Sequence, residues 1–141
     1  MGGSLLEGLA NEFTTGIIPS SEIKRLTNEI LNAVGHIHSQ GMLHRDIKPD
    51  NFVMEVRGEV CSPSVRMISP KLVDFDHADP DWSPKCPKIV SDPQFGTLCF
   101  SAPETFLGEY SEQSDLYSIG ACLYLLMTGK MPYEDELFSD D

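Results

Sequence analysis

Eight consecutive residues, His44-Arg45-Asp46-Ile47-Lys48-Pro49-Asp50-Asn51, restrict the folds open to this chain more than any other stretch. Met42-Leu43 precede them and Phe52-Val53-Met54 follow, so a strongly polar run is pinned between two segments that favour burial. Loops held this way on a rigid scaffold are where catalytic groups tend to sit. The residue types divide the labour. Asp46 is suited to accept a proton from a hydroxyl, Lys48 to neutralise developing negative charge, and Asn51 to offer a neutral oxygen to a hard cation. Any one of them alone would read as a solvated turn residue.

Composition narrows what such a loop can serve. With 141 residues, the chain is sized for one domain with a core. A net charge of −12 argues against nucleic acid or an anionic membrane as partner. No apolar run approaches the roughly 18 residues that a membrane span needs; Ile119 to Met127 comes nearest. No signal peptide opens the chain, and Leu6 stands where a myristoylation signal wants Ser or Thr. An intracellular, cytoplasmic location is expected. Cys61, Cys86, Cys99 and Cys122 show no metal-binding spacing, so free thiols are expected rather than a disulfide framework.

Periodicity places the run between elements. Pro19-Ser20-Ser21-Glu22 predicts a helix start with a Ser cap, and Ile23, Leu26, Ile30, Val34 and Ile37 carry an apolar stripe towards a stop at Gly41. His36 and His38, near the end of that helix, read as surface or dipole-favoured histidines. Phe52 to Val56 reads as a strand and Lys71 to Val73 as a second, with an inserted surface loop of residues 59–70 between them. Ser114-Asp115 is the expected cap of a helix reaching Thr128 and stopped by Gly129. That helix is apolar on nearly every face, which predicts burial all round.

The run matches the pattern H-R-D-x-K-P-x-N at every fixed position, and on it the chain resembles a eukaryotic protein kinase of the serine/threonine type. Further motifs follow in the order this family has them. Asp74-Phe75-Asp76 resembles D-F-G, with Asp76 in place of a glycine whose freedom to take unusual backbone angles Asp shares only in part. Gly96-Thr97 and Ala102-Pro103-Glu104 resemble the end of an activation segment, here residues 77–104. The resemblance implies a mainly α (α+β) fold, part of a kinase large lobe carrying a small β-hairpin. It implies ATP and Mg²⁺ as cofactors and a protein substrate with a Ser or Thr acceptor.

Site roles are likewise what the resemblance implies. Asp46, Lys48 and Asn51 would be catalytic, and Asn51 and Asp74 would hold the metal. Ser4, Asp50, Asn51, Val53 and Asp74 would lie at the nucleotide, with Ser4 near the ribose, Leu5 near the adenine and Val53 beneath it. The Phe75 ring would pack against the core. Asp115 would anchor the catalytic-loop backbone; the simple alternative is a helix N-cap only, and the two roles are compatible. Ser91, if phosphorylated, or Asp92 would pair with Arg45.

The same resemblance marks what is not visible. No Gly-rich loop, strand lysine or partner glutamate precedes Gly2. Residues 1–133 therefore read as part of a catalytic domain without its small lobe, and residues 134–141 as an acidic tail. The expectation is phosphoryl transfer at family level with little activity from this stretch alone. The alternatives are a non-catalytic kinase-like binding module or a truncated gene product.

Overall fold

In the computed structural model, the structure describes residues 3–57, 67–83, 85 and 96–133. The sequence expectations that lie partly or wholly outside these residues are the middle of the inserted loop, Cys61 and Cys86 as free thiols, the middle of the activation segment with Ser91 and Asp92, and the acidic tail. Helix α1 (Leu5–Glu12) and the long helix α2 (Ser20–Ser39) come first, followed by the loop of interest. Strands β1 (Phe52–Arg57) and β2 (Met67–Leu72) form one antiparallel pair, and helix α3 (Glu112–Thr128) comes last. The fold is mainly helical with a small hairpin, as the sequence implies.

Each element owes its place to identifiable residues. Ser4 caps α1 through a reciprocal box with Glu7, Ser4 N–H reaching Glu7 Oε2 at 3.0 Å. In α2 the periodic stripe buries Leu26, Ile30 and Val34, with Gly41 in a left-handed conformation just beyond the helix end. Pro19, not Ser20, occupies the N-cap of α2, and no side chain caps it. Instead Arg25 clamps the first turns by pairing with Glu22 and Glu29, and donates across to Ile68 O of β2 at 2.6 Å. Glu29 also accepts from Ser69 Oγ at 2.5 Å, so α2 and β2 are joined by polar as well as apolar contacts.

Phe52, Met54 and Ile68 of the hairpin meet Leu5, Leu9, Leu26 and Ile30 in the main core, which Ile119 and Cys122 of α3 complete. Burying each such side chain is worth about 1.5–3 kcal/mol. Burial also pushes the Cys122 thiol up to about 12, which makes it a packing group rather than a nucleophile. Cys99 and Cys122 are free thiols.

Helix α1 can approach β1 closely only because of Gly8. A Cβ there would lie 2.5 Å from Met54 Cγ and 2.9 Å from Met54 Cβ. Gly8→Val is therefore expected to destabilise the chain by about 1–3 kcal/mol through overpacking. Urea unfolding checks this, and an unchanged midpoint would mean that α1 is free to shift.

The structure corrects two boundaries and one expectation of burial. Strand β2 starts at Met67 rather than Lys71, so residues 67–70 belong to the sheet and not to the inserted loop. Pro70 sits opposite Met54, a place Pro can occupy because each strand of a two-stranded sheet has a free edge. Helix α3 starts at Glu112 behind Ser111, whose N–H donates to Ser114 Oγ at 2.8 Å; Asp115 is inside the first turn and does not cap it. Nor is α3 buried all round: Leu116, Tyr124 and Met127 are 47, 45 and 68% exposed. Ile119, Ala121 and Cys122 are buried, and Leu123, Leu125 and Leu126 are partly covered.

Candidate active site

The end of α2 delivers the chain into the polar loop, and two backbone bonds between Leu43 and Asp79 tie the loop entrance to the segment after β2. His44 is fully buried, with its Nε2 3.1 Å from Val73 O and its ring edge-on to Phe75 at 5.0 Å. Arg45 then takes a left-handed backbone (φ 65°), which is uncommon for a long side chain. Conformations of this kind cost of order 1–3 kcal/mol and persist where surroundings hold them. Here Asp115 does the holding. Its Oδ2 accepts from His44 N–H at 2.9 Å and its Oδ1 from Arg45 N–H at 2.9 Å.

The turn aims Asp46 into a compact polar cluster. Asp46 is 6% exposed. Its Oδ1 accepts from Thr97 Oγ1 at 2.9 Å, while its Oδ2 lies 2.8 Å from Lys48 Nζ and 3.1 Å from Asn51 Nδ2. Lys48 Nζ also donates to Thr97 Oγ1 at 3.0 Å, closing a ring of contacts between the loop and the segment before Ala102. Gly96 allows that approach. A Cβ there would lie 3.1 Å from Arg45 O, and its φ of 102° favours glycine.

A single 3₁₀ turn, Pro49–Asn51, carries the chain from this cluster into β1. Asn51 donates through Nδ2 to Asp46 O at 2.8 Å as well, and its amide oxygen makes no hydrogen bond among the described residues. The hairpin register sets Phe52 opposite Leu72, and Val73 N–H donates to Asn51 O at 2.9 Å. Asp74 therefore follows directly beside Asn51. Its carboxylate is exposed and makes no hydrogen bond or ion pair among the described residues. A neutral oxygen and an uncommitted carboxylate are hard donors of the kind Mg²⁺ takes, alone or in pairs, together with substrate phosphates. The residues present fit that cation.

The remaining candidates divide. Ser4 and Val53, both expected at the nucleotide, are paired across an isolated bridge. Asp50 is exposed on the turn. Leu5, by contrast, is wholly buried in the core and lines no open surface. Phe75 is 44% exposed rather than packed into the core, and forms one wall of a groove with Ile37, Pro70 and Leu72. The left-handed residue of Asp74-Phe75-Asp76 is Asp74 (φ 63°), so Asp at position 76 meets no left-handed strain. Arg45 stacks over the Tyr110 ring at 5.6 Å and donates to His77 O at 2.5 Å.

One residue of the site escaped the sequence reading. His38 is not a surface histidine: its Nε2 lies 2.8 Å from Asp115 Oδ2, and the two side chains are 9 and 3% exposed. The signal was present. Leu26, Ile30 and Val34 recur every four residues, and the next step lands on His38.

This arrangement of loop, hairpin and anchoring carboxylate is that of a protein kinase large lobe, and the chain matches the protein kinase domain family over residues 1–140. The chain belongs to that family. It is 33% identical over 132 residues to CDPK-related kinase 4 of Arabidopsis thaliana, covering 94% of this chain and 20% of the relative. It is 31% identical over 135 residues to sperm motility kinase 2B of Mus musculus (94% and 24%) and over 155 residues to serine/threonine-protein kinase RAD53 of Saccharomyces cerevisiae (97% and 17%). The chain thus spans about a fifth of the length of these relatives. Among the described residues no helix is long and apolar enough to cross a membrane.

Proposed function

We propose that this chain carries the phosphoryl-transfer centre of a serine/threonine protein kinase, with residues 1–133 forming part of its catalytic domain and ATP and Mg²⁺ as its cofactors. One observation carries the reading: Asp46, Lys48, Asn51 and Thr97 converge in a single cluster at contacts of 2.8–3.1 Å. Support for the Ser/Thr assignment comes from the Lys48–Thr97 contact and from the names of the relatives.

The chemistry follows from the donors. An ionised carboxylate has about four lone-pair sites. Thr97, Lys48 and Asn51 take three of them on Asp46, fixing its orientation and leaving one for a substrate hydroxyl. Asp46 accepts that hydroxyl's proton as the oxygen attacks. Lys48, held between Asp46 and Thr97, places its ammonium where negative charge develops on the transferring group. Asn51 Oδ1 and the Asp74 carboxylate would hold Mg²⁺, with Ser4, Asp50 and Val53 bordering the nucleotide. Bound Mg²⁺–ATP supplies the phosphoryl group and the charge neutralisation that lets it transfer.

Asp74→Asn is expected to weaken Mg²⁺-dependent ATP binding at least about tenfold, since a hard cation loses its one charged protein ligand. Calorimetry with and without Mg²⁺ measures it. Affinity that ignores the substitution would favour a kinase-like binding module over a catalytic one.

A further inference from the structure

Strand β2 carries the chain to Asp74, and side chains of α2 grip it at two successive residues. Arg25 donates to Ile68 O at 2.6 Å, and Glu29 Oε2 accepts from Ser69 Oγ at 2.5 Å. Arg25 Nη1 also donates to Glu29 Oε1 at 2.6 Å, which makes the three side chains one clip. Ser69 is 2% exposed, at a strand position of the kind that usually takes Val or Ile. Nor is the clip arranged to suit the helix: Arg25 before Glu29 is the less favourable order for a pair four residues apart. Ile68 shares the core with Leu26 and Ile30. Apolar contact is non-directional, though, and leaves a strand free to tilt. A two-stranded hairpin by itself is marginally stable. Hydrogen bonds, which have preferred angles, fix its place against the helix.

We infer that Glu29 and Ser69 are positioning residues for the metal side of the site: the clip from α2 sets where β2 delivers Asp74 beside Asn51. Strand β2 runs to Leu72, and Val73 N–H then closes on Asn51 O at 2.9 Å. Asn51 is separately tied to Asp46 through Nδ2. A shift of β2 at Ser69 therefore strains the Val73–Asn51 bond and parts Asp74 from Asn51. Neither Glu29 nor Ser69 touches a reacting group. The part Asp74 plays at Mg²⁺ rests on the function proposed above; the grip on the strand does not.

Val and Thr differ only by a methyl in place of a hydroxyl, so paired variants at position 69 isolate the clip. In Ser69→Val the Val73 amide of the 141-residue chain is expected to exchange at least about tenfold faster while that of Ile30 holds steady. In Ser69→Thr, which keeps the hydroxyl, Val73 is expected to stay within about threefold of wild type. Calorimetry with Mg²⁺–ATP is expected to show affinity at least about fivefold weaker for Ser69→Val and within about twofold of wild type for Ser69→Thr. A residue that only stabilises the fold would lower the unfolding midpoint and leave the affinity of the folded protein alone. Equal exchange at Val73 in the two variants would overturn the proposal. So would undiminished affinity in Ser69→Val where Asp74→Asn weakens binding. If Asp74→Asn leaves binding unchanged as well, the metal role of Asp74 fails, and exchange at Val73 alone decides the clip. Should neither variant fold, Ser69→Ala against wild type decides by the same two readouts.

Discussion

Replacing Asp46 by Asn is expected to lower turnover roughly 10²- to 10⁴-fold, the span that a general base contributes, while Mg²⁺–ATP affinity stays nearly unchanged. The two halves of this expectation have separate causes. Asn at position 46 keeps the shape and can still accept from Thr97 Oγ1, which now lies 2.9 Å from the carboxylate. It cannot take a proton from a hydroxyl, and it removes the charge that holds Lys48 at 2.8 Å. The proposed metal ligands, Asn51 Oδ1 and Asp74, are different atoms on the hairpin side and keep their places. A fall in ATP affinity as large as the fall in turnover would mean that Asp46 positions nucleotide rather than substrate. Steady-state kinetics of a catalytically competent protein carrying this loop, paired with calorimetry, separates the two.

Asp115→Ala is expected to be the most damaging single change to the fold, at about 3–5 kcal/mol, because it leaves several buried donors without their acceptor. Three donors lose their acceptor at once: His38 Nε2 and the N–H groups of His44 and Arg45. Each buried donor left unpaired costs about 1–3 kcal/mol. The left-handed turn at Arg45 then has nothing to offset its strain. Against a typical total of about 5–15 kcal/mol, such a loss leaves a chain close to unfolding. Urea denaturation measures it, and a midpoint within error of wild type would show that the loop holds its shape without Asp115.

The candidate catalytic loop is legible in the sequence because its chemistry is written in adjacent residues. Asp46, Lys48 and Asn51 fall within six positions, and no tertiary information is needed to bring them together. Thr97 and Asp115 lie far along the chain and were placed only through the family pattern; the structure joins them to the loop at hydrogen-bonding distance. Spacing alone would not have found them.

What was misread has physical reasons. Pro70 looked like the end of a loop, but a two-stranded sheet tolerates Pro at a free edge, so β2 began earlier than expected. Ser114 looked like a cap because Asp115 and an apolar run follow it, yet Ser111 takes the cap and leaves Asp115 free to face the loop. The composition of α3 suggested burial on every side. Composition reports how much apolar surface a helix has, not how much of it a neighbour covers, and Leu116 and Met127 remain exposed. His38 was set aside as a polar residue near a helix end, although the spacing of Leu26, Ile30 and Val34 already pointed it inward.

The most direct test of the central claim is whether this chain's own loop supports phosphoryl transfer. Residues Leu43–Glu104 would replace the matching stretch of the Arabidopsis CDPK-related kinase 4, and transfer of the ATP γ-phosphate to Ser and Thr peptides would be followed with Mg²⁺ present. Mg²⁺-dependent phosphoserine or phosphothreonine is expected within about tenfold of the parent kinase's rate, because the groups proposed to position and stabilise the transfer all come with the graft. A chimera that folds and binds Mg²⁺–ATP but transfers no phosphate would contradict it.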